Sequence, residues 1–419
     1  MSAQILPIVS LLLSTFFLMA GAGLQGILLP VRASIEGWSP YEIGLMGTSY
    51  AVAFTLSCVV MPTIVRSAGH VRAFSSLAAL LAISVLLNGL AVHPIAWILV
   101  RAIAGFALAG SYMVIESWLN ERVTNETRGM VFSLYMVVTM AAMMTGQFTM
   151  PIVRPELPAA FMVCAIFYAL AVIPNALSRA QSPKPLTQVR LDLPAIYRNS
   201  PAAVAGVFLS GVLSGAWGNM APVLGQQIGL TTAEISTLLV STMAGGLVFQ
   251  VPLGRISDRI DRRAVMILAG LIGLGAALAA LTLWSTSVLG LFAIAFVIGG
   301  VIYPAYSLAV AHANDYAKPA DFVKISGGLL ILYGFGTMGG PMLAAWLMGV
   351  YGPDGIFIAT GFAHAALAAY AGYRMLCRSP VPPTERDAFR SVPLARTQTP
   401  ASFALDPRSE PTGLREGSR

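Results

Sequence analysis

Charge is scarce in this sequence. Only 10% of its 419 residues are Asp, Glu, Lys or Arg, while 57% are hydrophobic and mean hydropathy is +0.76. A water-soluble fold must present much of its surface to solvent, and a chain this poor in charge has too little polar surface for that. The numbers require lipid as the solvent. Cysteine is scarce too: Cys58, Cys164 and Cys377 are too few and too scattered for a disulfide framework or a metal cluster. His70, His93, His312 and His364 are as dispersed. There is no phosphate loop, no GxSxG, no HExxH and no pair of carboxylates inside an apolar run. ATP drive by this chain and hydrolysis inside a membrane are therefore not expected, and the chain reads as no enzyme, without cofactor or metal.

Long apolar runs are what the sequence has in abundance. A helix needs about 20 apolar residues to cross a bilayer. Twelve segments meet that need, near 6–29, 41–64, 73–92, 95–117, 130–152, 158–177, 202–224, 233–253, 264–284, 287–309, 325–348 and 355–376. The expectation is an all-α integral membrane protein. The first run is too long for the apolar core of a signal peptide, and no Lys or Arg precedes Arg32, so a retained first helix is expected. With both termini on one side of the membrane, twenty-two of the 25 Lys and Arg residues fall on that side. Only Arg32 and Arg154 fall on the other, and Arg101 lies within a segment. This bias expects cytoplasmic N- and C-termini. It also reads the net charge of +7 as a topology signal, with the lipid bilayer as partner and no nucleic acid.

The polar stretch 178–200 divides six segments from six, and the halves repeat. Pro30 answers to Pro222 and Glu42 to Glu234, each 192 residues on. At 194 residues, Gly105 meets Gly299, Asn120-Glu121 meets Asn314-Asp315, and Gly146-Gln147 meets Gly340-Pro341. The expected organisation is a six-helix bundle over 1–177, a cytoplasmic middle loop over 178–200, a second bundle over 201–378 and a disordered cytoplasmic tail over 379–419. Six-helix halves in parallel repeat point to a transporter with a cavity between them.

Charge is dense in one short loop: six of the ten residues of GRISDRIDRR at 254–263 are charged. Gly254, Asp258, Arg259, Arg262 and Arg263 resemble the loop signature G-x-x-x-D-R-x-G-R-R/K of the major facilitator superfamily, with Asp261 in place of the second glycine. The equivalent first-half stretch, PTIVRSAGHVR at 62–72, keeps only Gly69 and Arg72. The resemblance covers roughly residues 6–376. Residues 312–341 and 128–147 further resemble a bacterial branch of the superfamily whose substrates are largely unassigned. It implies twelve helices as two six-helix pseudo-repeats, a bacterial inner (plasma) membrane and secondary transport of a small organic solute by alternating access, with proton-coupled efflux one form of it. A non-transporting sensor or scaffold that keeps the fold is the alternative. The chain is expected to work as a monomer. The charged loop reads either as positive-inside anchoring or as a latch that pairs with Asp315 or Asp321 and biases an outward-open state.

Two charges lie inside apolar segments. RAIAGFALAG at 101–110 resembles the superfamily's helix-4 motif R-x-x-Q-G, with Ala104 where the Gln stands. The resemblance implies a role for Arg101 in proton coupling or ligand charge, and the alternative is an arginine that snorkels outward. Glu116 lies about 22 Å further along the same helix, too far to pair with Arg101. It is expected to meet Arg66, Arg72 or Arg122, in a coupling or gating role. Neither charge has a counterpart at +194, where Ala295 and Val310 stand. The family's cavity-lining helices, first, fourth, seventh and tenth, would add Gln25, Tyr112, Trp217, Asn219, Tyr303 and Tyr306 to Arg101 as cavity candidates. Ser210 and Ser214 share the tryptophan's face. Such rings with a few hydrogen-bonding groups suit an amphipathic organic ligand, against the alternative of ordinary packing. Gly211, Gly215 and Gly218 read as close-packing positions, and Gly334, Gly336, Gly339 and Gly340 with Pro341 as a place for a helix to bend.

Overall fold

Apolar runs flanked by caps and prolines become helices long enough to cross a bilayer. The computed structural model describes residues 2–123, 127–177, 192–283, 287–317, 321–382, 386, 389 and 398–405. The first half holds α1 (Ser2–Ile35), α2 (Pro40–Ala68), α3 (His70–Leu90), α4 (Pro94–Arg122), α5 (Arg128–Val153) and α6 (Pro158–Ala176). A short α7 (Leu193–Asn199) leads into the second half: α8 (Pro201–Gln227), α9 (Thr232–Arg259), α10 (Arg262–Leu283), α11 (Val288–Asn314), α12 (Phe322–Tyr351) and α13 (Gly355–Cys377). Eleven described stretches are long and apolar enough to span. The last, Phe322–Cys377, has 56 residues and would be about 84 Å long as one helix, far beyond a bilayer core. The turn Gly352–Asp354 breaks it into α12 and α13, so the chain crosses twelve times.

Local chemistry starts equivalent helices in the same way. Ser39 caps α2 and Thr231 caps α9, and each forms a reciprocal box with a glutamate three residues on. The cap N–H donates to Glu42 or Glu234 at 2.8 Å in both, and the glutamate N–H donates back to the cap hydroxyl at 3.3 Å in both. Two backbone donors that a helix start leaves without partners are thus satisfied.

The packing repeats as the sequence does. α1 packs on α5 and α6, α2 on α4, and α3 on α4 and α6; α8 packs on α12 and α13, α9 on α11, and α10 on α11 and α13. Small residues bring backbones into contact at matching places. A Cβ on Gly105 would stand 2.3 Å from the Tyr50 carbonyl oxygen, and one on Gly299 1.8 Å from that of Thr242. Gly146 faces the Ala20 carbonyl and Gly340 the Val212 carbonyl in the same way. Gly211 and Gly215 take the close-packing role expected of them, against α12.

The cationic loops gather at one end of the bundle, the basic end. The halves meet at the far end. There the Thr48 hydroxyl donates to the Met338 carbonyl at 2.8 Å, and the Ser236 hydroxyl to the Gln147 carbonyl at 2.8 Å. Gly44 of α2 lies against Ala345 and Pro341 of α12. The far end is therefore sealed, which differs from the outward-open state expected of a latch at the basic loops.

Two polar stretches differ from the sequence expectation. Residues 178–191 of the middle loop lie outside the described residues, but 193–199 form α7, which docks on the second half through Asn199 to the Ala313 carbonyl at 2.9 Å. Within the tail, expected to lack order, residues 400–405 form a tight turn, and 398–400, 402 and 403 are buried. That expectation weighed proline content and missing periodicity, neither of which registers a short segment held by partners distant in sequence.

Candidate functional site: a central cavity with one cation

Close packing places the first charge. Because Gly105 has no side chain, α2 comes near enough to α4 for the Tyr50 ring to lie over the Arg101 guanidinium, 4.3 Å from it. The outer turn of α4 is fixed by Trp97, whose indole N–H donates to the Asn88 and Ala91 carbonyls at 2.9 Å each. Arg101 is only 9% exposed and makes no salt bridge among the described residues. It does not snorkel; it faces a cavity between the halves with about 140 Å³ open to water.

Rings from both halves line this cavity: Tyr50, Phe54 and Tyr112 from the first, Trp217, Tyr303 and Tyr333 from the second. Arg101 is the one formal charge among the described lining residues. Gln25 accepts from the Tyr168 hydroxyl at 2.7 Å, and its amide nitrogen has no partner. The amide oxygen of Gln147, also in the wall, has none either. Trp217 spends its indole N–H on Thr242 at 2.9 Å, and Asn219 donates to the Gly215 carbonyl at 2.8 Å. The wall thus offers a cation, a free amide donor, a free amide acceptor and aromatic faces. These are the convergent polar groups in an apolar pocket that orient a small ligand.

Of the seven cavity candidates read from the sequence, Gln25, Arg101, Tyr112, Trp217, Asn219 and Tyr303 line the cavity. Tyr306 does not. It is 2% exposed and packs edge-on against Tyr333, with ring centroids 5.2 Å apart, in the core of the second half. Ser214 lines the cavity, whereas Ser210 turns to the Gly206 carbonyl. Tyr50, Cys58, Tyr333 and Thr337 line it without having been singled out, because they sit on α2 and α12 rather than the helices considered. The repeat carries the missing signal: Thr242 is the 192-residue counterpart of Tyr50, and it too lines the cavity.

Glu116 is fully buried and lies outside the cavity wall. It forms no ion pair with Arg66, Arg72 or Arg122. The Tyr135 hydroxyl donates to it at 3.3 Å, and the Thr399 N–H and hydroxyl donate as well. Arg66 and Arg72 are exposed, pointing away from the interior.

The charged loop is a network inside one half. Arg262 makes a two-pronged contact with Asp315 at 2.7 and 3.1 Å, and also reaches Ser257 and Asp258. Arg263 binds Asp261 at 2.7 Å and caps α13 through the Arg374 and Arg378 carbonyls at 2.7 and 2.8 Å. Half-burial opposes ionisation of Asp261, but hydrogen bonds from Arg263 prevail and hold its carboxyl below the ordinary range. Asp258 also accepts from the Phe389 N–H at 2.8 Å, and Arg259 is exposed. Gly254 lies under the Phe389 ring. Asp315 is thus the acid that pairs, and each of these contacts stays on the second half or its tail rather than bridging to the first.

Residues 11–215 and 202–409 each match the sequence profile of the Major Facilitator Superfamily, and the chain belongs to that family. An uncharacterized MFS-type transporter of Yersinia pestis (strain Pestoides F) is 25% identical over 389 residues, covering 91% of this chain and 97% of that protein. The uncharacterized MFS-type transporter YcaD of Escherichia coli O139:H28 is 23% identical over 363 residues, covering 85% and 93%. Among solved structures, the nucleoside transporter NupG has a TM-score of 0.70 at 14% identity, over 88% of this chain and 96% of that one. A bacterial homologue of the human lysosomal transporter Spinster, inward-facing and occupied, has a TM-score of 0.73 at 13% identity, over 91% and 97%. Both likenesses are of fold. The chain is a multi-pass membrane protein of a transporter family.

Proposed function

We propose that the chain is a secondary transporter whose cargo is a small organic anion with an apolar or aromatic body, moved by rocking of the two halves. The observation that carries this reading is Arg101: a buried guanidinium without a carboxylate, facing a cavity walled by rings from both halves. A lone cation in a membrane interior is costly, by roughly 2.5–3.5 kcal/mol on insertion scales, and an anionic ligand would offset that cost. The Gln25 amide and the Gln147 carbonyl oxygen are placed to orient it, and the Tyr50 and Trp217 faces to hold its body. The sealed far end and the basic loops at the other support a cavity that faces the cytoplasm, with both termini there, in a bacterial inner membrane.

A thermal-shift series on purified protein tests the cargo. Aromatic carboxylates should raise the melting temperature in a concentration-dependent way, and their neutral amides should not. The response should vanish in Arg101→Gln. Equal responses to acid and amide would refute the anionic cargo. Proton coupling is tested in proteoliposomes: an anion flux indifferent to an imposed pH gradient removes it.

A further inference from the structure

We propose that the basic end of the cavity is a peptide-binding site, built around Glu116, whose ligand is residues 398–403 of the chain's own tail, and that this segment is a removable wedge between the halves. Among the described residues no cation pairs with Glu116, and a buried carboxylate without donors is strongly disfavoured. Thr399 supplies two of its donors: its N–H lies 3.2 Å from each carboxylate oxygen, and its hydroxyl donates too. The turn is internally braced, with Ser402 donating to the Thr399 carbonyl from its N–H at 3.0 Å and its hydroxyl at 2.8 Å. Its two sides belong to different halves. Thr399 holds α4 through Glu116, while Phe403 packs edge-on against Phe322 of α12, with centroids 6.3 Å apart. Pro400 forms part of the cavity wall itself. Upstream, the Phe389 N–H holds Asp258 and Arg386 holds the Ile260 carbonyl at 2.6 Å, which sets these tail residues against the charged loop.

The far end is already closed by direct contact of the halves, and the wedge stands in the remaining mouth. The halves cannot close at the basic end until the segment leaves. That consequence for transport rests on the rocking reading above; the binding of the segment does not.

The native Cys58 thiol lines the cavity and reports on the wedge without any cargo; because Glu116 lies near it, each labelling rate is compared with that of a chain ended at residue 397 that carries the same residue at position 116. In a Cys377→Ser background, with Cys164 buried, the rate at which an impermeant methanethiosulfonate labels Cys58 is measured in detergent. Labelled at alkaline pH, with both groups ionised, Thr399→Asp sets a second carboxylate against Glu116 and should speed labelling about tenfold or more over the parent at the same pH, because like charges this close in a poorly solvated site repel strongly. Adding Glu116→Gln, whose amide can donate to the new carboxylate, should restore slow labelling. A rate in Thr399→Asp within about twofold of the parent overturns the wedge, since that is below the change a broken charged contact gives. A fast rate that Glu116→Gln leaves unchanged overturns Glu116 as the binding site. If Thr399→Asp does not fold, the chain ended at residue 397 serves instead: fast labelling supports the wedge, parental labelling overturns it. Loss of anion response in the thermal-shift series with wedge-dependent labelling intact would instead refute only the cargo.

Discussion

Gly105 under the Tyr50 carbonyl and Gly299 under the Thr242 carbonyl are one contact made twice, as are the boxes Ser39–Glu42 and Thr231–Glu234. Yet the helices so matched bury different charges. α4 carries Arg101 and Glu116, neither in an ion pair among the described residues; α11 has Ala295 and Val310 at those positions. The second half instead pairs its buried charges at the rim, Arg262 with Asp315 and Arg263 with Asp261. At the place of Arg262 the first half has His70, bonded to Ser117 at 3.1 Å. Packing is thus symmetric because both halves solve the same problem of closing a six-helix bundle. Charge is asymmetric because the tasks differ. The second half uses charge to hold its helix ends together, and the first holds charge ready for something that is not a helix.

The largest effect expected from disturbing this pair of halves is arrest. Gly44 and Ala345 meet across the far-end seam, and Gly44→Cys with Ala345→Cys should oxidise to a cross-link that abolishes anion flux in proteoliposomes until a reductant is added. Full flux in the cross-linked protein would refute rocking of the halves, whereas no flux even before oxidation would favour the non-transporting scaffold reading. Next comes the rim. Arg262 and Asp315 are almost fully buried, so Asp315→Ala should cost about 3 kcal/mol in chemical denaturation, by taking from a buried cation its two-pronged partner and leaving the longer Asp258 contact. Arg101→Gln should show the opposite profile: no loss of stability, but a drop in anion affinity of about 2–5 kcal/mol by titration calorimetry. Similar profiles for the two would erase the contrast between the halves. The smallest effects should be equal ones, with Ser39→Ala and Thr231→Ala each losing about 1 kcal/mol of unfolding free energy.

Much of this was legible in the sequence, for identifiable reasons. Apolar run length fixes the helices, and the 192- and 194-residue offsets mark the contacts where backbones touch. Arg101 stood out because a charge inside an apolar run has few innocent explanations. Tyr306 was misplaced because α11 is apolar all round, and a helix buried on every side has no periodicity to say which neighbour a ring meets. Tyr50 and Tyr333 were missed because they sit on α2 and α12, helices that the family resemblance does not place at the cavity. The tail partner of Glu116, Thr399, was not legible at all. It stands 283 residues away, in a stretch whose composition argues against order.

That separation along the chain has a kinetic side. A segment on the same polypeptide as its site is present at an effective concentration of the order of millimolar, whatever the abundance of the protein. Even a weak contact between Thr399 and Glu116 is therefore occupied much of the time. A separate peptide offered to the same mouth must exceed that local concentration to displace the tail. The mouth is thereby shielded from dilute competitors, while cutting the chain upstream of Gln398 would convert a standing occupant into one that diffuses away.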